Sequence, residues 1–128
     1  MPKKILIVED NEKNRILLKD LLAYSGYEVI EAENGEEGIK RAKEGKPDLI
    51  LMDISMPVMN GLTALKKIRD DSELKDIIVI ALTSSAMARD KEKVLRAGFD
   101  LYLTKPFNTR KLIEIVEDAF TKKLKGSI

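Results

Sequence analysis

Leu49-Ile50-Leu51-Met52-Asp53 is a run of four apolar residues that ends on a carboxylate. A short, continuous apolar run of this kind is typical of a strand that is buried on both faces. Ile5-Leu6-Ile7-Val8 is a similar run and is stopped by Glu9-Asp10-Asn11, and another extends from Ile77 to Leu82 and is stopped by Thr83. The three runs predict three central strands, each followed at once by polar side chains.

Two more broken runs predict edge strands. Tyr27 to Ala32 is interrupted by Glu28 and Glu31, and Leu101-Tyr102-Leu103 ends at Thr104-Lys105-Pro106. Polar residues within a strand indicate partial exposure to solvent, as at the edge of a sheet.

Each predicted strand is followed by a segment with apolar residues at helical spacing. Asn34, with Glu37 three residues later, resembles a capping box and predicts a helix start. The first predicted helix ends near Gly26, and the second runs from Asn34 to about Gly45. Pro57 and Gly61 mark a loop before the third. The fourth runs from about Ser85 to Ala97, and Gly98 ends it. The apolar stripes are Leu17, Leu18, Leu21 and Leu22 in the first, Leu62, Leu65 and Ile68 in the third, and Leu112, Ile115, Val116, Ala119 and Phe120 in the last.

Five alternations of strand and helix predict an α/β fold, with a doubly wound five-stranded parallel sheet and helices on both faces. With the two edge strands outermost, the favoured strand order is 2-1-3-4-5, a (βα)5 flavodoxin-like arrangement. We expect a single domain over residues 1–128, with a core at about 3–124 and a short, frayed basic tail from Lys122 to Ile128.

Composition excludes several kinds of chemistry. The chain has neither histidine nor cysteine, which excludes a Ser-His-Asp triad, a thiol nucleophile, disulfides and a histidine- or thiolate-bound zinc site. The formal net charge is only +1, so there is no overall electrostatic attraction to nucleic acid or to an anionic membrane, and we expect neither as a partner. With no apolar run of membrane-spanning length and no signal peptide, the sequence predicts a cytoplasmic protein.

Polar side chains at the strand ends form the candidate site. Ligands of such sheets bind beyond the carboxyl ends of the strands, where the strand order reverses, here between strands one and three. That edge would gather Glu9, Asp10, Asp53, Thr83 and Lys105. Two carboxylates about 4 Å apart repel by roughly 4 kcal/mol near a protein surface, so three of them require a cation, and magnesium is the natural one. A carboxylate nucleophile beside a metal, an ammonium and a hydroxyl is suited to phosphoryl transfer onto aspartate.

In these motifs the chain resembles the receiver domains of bacterial response regulators, and more closely their stand-alone, CheY-like kind. The resemblance covers about residues 3 to 124, and the strand order 2-1-3-4-5 is already known for CheY. The motifs are Ile-Leu-Ile-Val-Glu-Asp-Asn at 5–11, Leu-Met-Asp-Ile-Ser-Met-Pro at 51–57, Asn-Gly at 60–61, Ala-Leu-Thr at 81–83 and Lys-Pro-Phe at 105–107.

The resemblance implies a phosphoacceptor and a metal site. Asp53 would accept the phosphoryl group in a magnesium-dependent reaction, with manganese as an alternative ion. Asp10 would ligate the metal directly, as would Asp53, and Glu9 would act mainly through a metal-bound water. The backbone carbonyl of Ser55 would complete the protein ligands.

The resemblance also implies a conformational switch that responds to phosphorylation. Thr83 would bond a phosphoryl oxygen, Lys105 would pair with Asp53 and then with the phosphoryl group, and Tyr102 falls at the aromatic switch position of the family. The predicted helix from Ser85 to Ala97 has the weakest apolar stripe, so we expect it to be the element that responds.

The implied function is two-component signal transduction. Because the chain lacks histidine, the phosphoryl donor must be a partner, either a sensor histidine kinase or a histidine phosphotransfer protein, and the output must be a downstream effector protein. The domain would not be an enzyme in the usual sense, although it would assist its own phosphorylation and dephosphorylation. Two alternatives stay open: a magnesium-dependent phosphatase of the haloacid-dehalogenase-like class, which typically needs an aspartate where this chain has Ser55, and a phosphorylation-independent scaffold.

Overall fold

The computed structural model describes residues 2–54, 61–83, 95–104 and 108–126, the last five by their backbone alone. Its strands are β1 (Lys4–Val8), β2 (Glu28–Ala32), β3 (Leu49–Asp53), β4 (Ile78–Thr83) and β5 (Leu101–Thr104). All neighbouring strands are parallel, in the order β2-β1-β3-β4-β5. The predicted parallel sheet and its strand order are confirmed.

The described helices are α1 (Glu12–Tyr24), α2 (Gly35–Gly45), α3 (Gly61–Asp70) and a C-terminal helix (Thr109–Gly126). The predicted helix from about Ser85 to Ala97 lies mostly outside the described residues. Its last part is seen at Leu95 and Arg96, which are helical. Gly98 then has a φ of +116°, a conformation that favours glycine and commonly ends a helix.

Asparagine side chains begin three of the described helices. Asn11 Oδ1 accepts a hydrogen bond from the backbone N–H of Asn14 (3.0 Å), and Asn34 Oδ1 accepts one from Glu37 (2.9 Å). The third is Asn108, whose Oδ1 accepts a hydrogen bond from the backbone N–H of Lys111 (2.7 Å) at the start of the C-terminal helix. Each bond satisfies an amide that has no partner within its own helix. The predicted start of α2 is therefore confirmed.

The sheet separates two layers of core because successive side chains of a strand point to opposite faces. One layer joins β1, β3 and β4 to α2 and α3, and contains Leu6, Val8, Ala42, Ile50, Met52, Ala64, Leu65, Ile68, Val79 and Ala81. The other joins the same strands to α1 and the C-terminal helix, and contains Ile5, Ile7, Leu18, Leu22, Leu49, Leu51, Ile80, Leu82, Leu112, Val116 and Ala119. The central strands are buried on both faces, and β2 and β5 are partly exposed, as predicted.

Two local expectations differ from the structure. Leu17 is not part of the core, since it is 51% exposed, and α1 packs through Leu18 and Leu22 instead. The C-terminal helix continues to Gly126, where a frayed tail was expected from Lys122. Lysine and leucine favour helix, and no glycine or proline interrupts the segment before Gly126, which accounts for the extra turn. Among the described residues, none of the helices combines the length and apolar character that a membrane span requires.

Arg69 connects α3 to the segments that lead into β4 and β5. Its Nε and Nη2 donate to the carbonyl of Gly98 (3.1 and 2.8 Å), and Nη1 donates to the carbonyls of Lys75 (2.9 Å) and Ile77 (2.6 Å). Nη2 also donates to Asp100 Oδ2 (3.0 Å). A guanidinium has five N–H donors, so Arg69 uses all of them on this junction.

Candidate functional site

The candidate site lies at the carboxyl ends of β1 and β3, which are adjacent in the sheet. Val8 pairs with Met52, so the next residues along each chain, Glu9 and Asp53, reach the same edge. One oxygen from each of Glu9, Asp10 and Asp53 lies within 4.8 Å of the other two. The structure therefore brings together the three carboxylates that the sequence placed at this edge.

The three side chains differ in exposure. Glu9 and Asp53 are 1% and 5% exposed, whereas Asp10 is exposed. Burying carboxylates this close together is unfavourable unless hydrogen bonds or a cation compensate the charge. Oxygen donors alone are the ligand set of hard cations such as magnesium and manganese. The cluster therefore fits such an ion, which could enter from the exposed side at Asp10.

Glu9 is held by hydrogen bonds with β2 and α1. Its backbone N–H donates to the carbonyl of Ala32 at the end of β2 (3.1 Å). Asn14 Nδ2 donates to Glu9 Oε1 (3.3 Å), and Arg15 Nη1 donates to the backbone carbonyl of Glu9 (3.0 Å). The sequence reasoning missed Asn14 and Arg15; their position in the first turn of a helix that follows the acidic pair was the available signal.

Gly61 packs directly against the main chain that leaves Asp53. Its N–H donates to the carbonyl of Ile54 (2.8 Å). A Cβ atom at Gly61 would lie 2.7 Å from both the carbonyl oxygen of Asp53 and the Cα of Ile54. Only glycine lets α3 begin this close to the end of β3, so Gly61 helps to fix the position of Asp53.

Thr83 is the last residue of β4, which pairs with β3, the strand that ends at Asp53. The register pairs Asp53 with Leu82, which places Thr83 one residue further toward the carboxyl edge. Its side chain is buried, and Thr83 Oγ1 has no hydrogen-bond partner within the described part of the chain. A buried hydroxyl without a partner costs about 1–3 kcal/mol, so this position is suited to a ligand that can accept a hydrogen bond from it.

Tyr102 lies on β5, beside Ala81 of β4, and is partly buried against the layer of core that contains α2 and α3. Ser55 and Lys105 lie outside the described residues, so their expected roles stay predictions. Thr104, the residue before Lys105, pairs with Thr83.

Comparison with known proteins decides the family. The family described as response regulator receiver domain matches residues 5–117, most of the chain. The chain belongs to the response regulator receiver domains. This receiver domain is 46% identical over 117 residues to the polar-differentiation response regulator DivK of Brucella anthropi, a match that covers 91% of this chain and 95% of that protein.

Two solved structures show how far the receiver fold is shared. The chemotaxis protein CheY4 of Vibrio cholerae superimposes with a TM-score of 0.87 at 30% identity, covering 93% of this chain and 99% of that one. The receiver domain of a sensor histidine kinase from Pseudomonas aeruginosa superimposes with a TM-score of 0.84 at 35% identity, covering 92% of this chain and 97% of that one. That second structure has a magnesium ion coordinated in its active-site cleft. The expectation of a receiver domain in two-component signalling is confirmed, and the haloacid-dehalogenase-like alternative is set aside.

Proposed function

We propose that this receiver domain accepts one phosphoryl group on the carboxylate of Asp53, with magnesium held by Asp10 and Asp53 directly and by Glu9 through water. The observation that carries the proposal is the cluster of three carboxylates that includes the buried, strand-end Asp53. The backbone carbonyl of Ser55 and, in place of magnesium, manganese belong to the same proposal.

The reaction is a displacement at phosphorus. A carboxylate oxygen of Asp53 attacks the phosphorus of a phosphohistidine, the phosphorus–nitrogen bond breaks, and its electron pair stays on the imidazole. The product on this chain is an acyl phosphate. Magnesium, when bound, offsets the negative charge that the carboxylates and the phosphoryl oxygens would otherwise share. Glu9 and Asp10 would supply its anionic surroundings, and Lys105 would add a positive charge.

Thr83 and Tyr102 would convert this event into a signal. The buried hydroxyl of Thr83 would donate to a phosphoryl oxygen, and a hydrogen bond to a charged group contributes about 1.5–3 kcal/mol. Each 1.4 kcal/mol or so changes the ratio of two conformations tenfold, so this bond and one from Lys105 suffice to make a minor conformation the major one. Movement of Thr83 would leave space that Tyr102 of the adjacent strand can fill, and a downstream effector protein would bind the altered face.

The donor is proposed to be a sensor histidine kinase or a histidine phosphotransfer protein. It must bring its imidazole to the carboxyl edge of the sheet, where α1 begins. In α1, the helix that follows the acidic pair, Ile16 and Leu17 are 46% and 51% exposed, which offers apolar contacts to a partner. Nucleic acid and membrane are not expected as partners, and a cytoplasmic location stays a prediction.

Intact-mass measurement tests the proposal. The domain is incubated with acetyl phosphate and magnesium, and we expect the mass of one added phosphoryl group, lost in Asp53→Asn and when EDTA replaces magnesium. Asp20→Asn, which removes an exposed carboxylate of α1, is the matched control and should be labelled normally. Full labelling of Asp53→Asn would overturn the assignment, and a chain that is never labelled would favour the phosphorylation-independent scaffold.

Hydrogen exchange tests the switch. Addition of beryllofluoride, which mimics a bound phosphoryl group, should change amide protection between Ser84 and Tyr102. A change restricted to the residues around the acidic cluster would show that phosphorylation is not passed on by this route.

A further inference from the structure

We infer that Asn14 and Arg15 are positioning residues that make the acidic cluster selective for magnesium over calcium by fixing the orientation of Glu9. The inference rests on the metal site of the proposed function. It goes beyond that function because it assigns the choice of ion to two residues of α1 that are not themselves expected to ligate it.

Asn14 controls the side chain of Glu9. Its own backbone N–H is bonded to the capping oxygen of Asn11 (3.0 Å), which fixes the first turn of α1. From that turn, Asn14 Nδ2 reaches back to Glu9 Oε1 (3.3 Å). The bond comes from a neutral amide, so it restricts the rotation of the carboxylate without neutralising its charge.

Arg15 controls the main chain of the same residue. Its Nη1 donates to the carbonyl of Glu9 (3.0 Å), and its side chain is only 11% exposed. The guanidinium is itself held at the end of β2, where Nε lies 3.5 Å from Glu31 and Nη2 lies 3.6 Å from Glu33. Arg15 therefore links α1 to the end of β2 and to Glu9, the first residue of the acidic pair, and Glu9 is restrained through both its backbone and its side chain.

The restraint on Glu9 favours magnesium over calcium, although the two ions carry the same charge. Magnesium requires an almost ideal octahedron with short bonds, whereas calcium accepts six to eight oxygen ligands in a flexible arrangement. A Glu9 carboxylate held in one orientation suits the first ion, and a mobile one favours the second. Because magnesium and calcium carry the same charge, a change in the general electrostatic field acts on both alike and cancels in the ratio of their dissociation constants.

The test is a pair of NMR titrations, one with magnesium chloride and one with calcium chloride, on the ¹⁵N-labelled full chain. Residues that orient direct metal ligands typically contribute 10-fold or more to affinity. Because Glu9 acts on the ion through water, we expect Asn14→Ala to weaken magnesium binding by roughly tenfold at most. Calcium binding should weaken less, so that the preference for magnesium falls roughly threefold or more. The spectra also report whether the fold is retained.

Arg15→Lys keeps the positive charge but cannot hold the carbonyl and two carboxylates at once. It should lower the magnesium preference as Asn14→Ala does, whereas a purely electrostatic role would leave this variant like the parent chain. Lys13→Gln, an exposed change in the same turn, is the matched control and should leave the ratio unchanged.

The outcomes separate the two proposals. If the parent chain binds magnesium and both Asn14→Ala and Arg15→Lys keep its ion preference, the positioning role is wrong and the proposed function stands. If the parent chain shows no magnesium-dependent shifts near Glu9, Asp10 and Asp53, the metal site itself is wrong and the positioning role falls with it.

Discussion

Replacing Asp10 with asparagine should stabilise the domain in the absence of divalent cations. Asp10 has two carboxylate neighbours, Glu9 and Asp53, whose oxygens lie within 4.8 Å of its own. At 4.8 Å, two unit charges repel by about 3.5 kcal/mol at an effective dielectric constant of 20 and by about 0.9 kcal/mol in bulk water. Because Asp10 is exposed, the water-like value applies to each neighbour, and we expect Asp10→Asn to raise the free energy of unfolding by roughly 2 kcal/mol.

Magnesium should reduce this advantage. An ion at about 100 times its dissociation constant stabilises the folded state by about 2.7 kcal/mol, and a variant that binds ten times more weakly gains only about half of that. In magnesium, the free energy of unfolding of Asp10→Asn should therefore exceed that of the parent chain by less than about 1 kcal/mol. Urea unfolding followed by circular dichroism, in EDTA and then in magnesium, measures both differences, with Asp20→Asn as the surface control. If Asp10→Asn proves less stable than the parent chain in EDTA, carboxylate repulsion does not dominate this site.

Three other substitutions test how the fold supports the site. Arg69→Met should lower the free energy of unfolding by about 3 kcal/mol or more, since it leaves the acceptors of five hydrogen bonds without their donor, and thermal unfolding measures the loss. Gly61→Ala should cost about 1–3 kcal/mol and slow labelling by acetyl phosphate, because the new Cβ must displace the main chain at Asp53; labelling at the parent rate would contradict that contact. A hydrogen bond from Lys43 (2.9 Å) lowers the pKa of Asp71 below its ordinary value, so the pair contributes stability above the unfolded-state pKa and loses it as pH falls through the folded-state pKa. Asp71→Asn should accordingly be less stable than the parent chain at pH 7 and equally stable at strongly acidic pH, as shown by urea unfolding across that range.

The sheet could be predicted because its central strands have a simple sequence pattern. Leu49–Asp53 and Ile78–Thr83 are buried on both faces, so nearly every residue before the final polar one is apolar. Once the strands are parallel and ordered, their carboxyl ends must share one edge. For that reason the meeting of Glu9, Asp10 and Asp53 followed from topology, although the residues are far apart in the chain.

Features that depend on side-chain direction could not be predicted in the same way. Leu17 has the same helical spacing as Leu18, and spacing alone does not decide which of the two faces the sheet. The bonds from Asn14 and Arg15 to Glu9 depend on how the first turn of α1 leans over the end of β1. Such contacts need the placement of whole elements, which a single sequence does not contain.

Borohydride trapping identifies the carboxylate that forms the acyl phosphate, which we propose to be that of Asp53. Borohydride reduces an aspartyl phosphate to homoserine, with release of phosphate, and leaves ordinary carboxylates intact. After incubation with acetyl phosphate and magnesium, the reduced chain is digested and sequenced by tandem mass spectrometry. We expect homoserine at position 53, unreduced aspartate at position 10, and unreduced glutamate rather than its reduction product 5-hydroxynorvaline at position 9. Homoserine at position 10, hydroxynorvaline at position 9, or no reduced residue in a chain that has gained phosphoryl mass would show that Asp53 is not the phosphoacceptor.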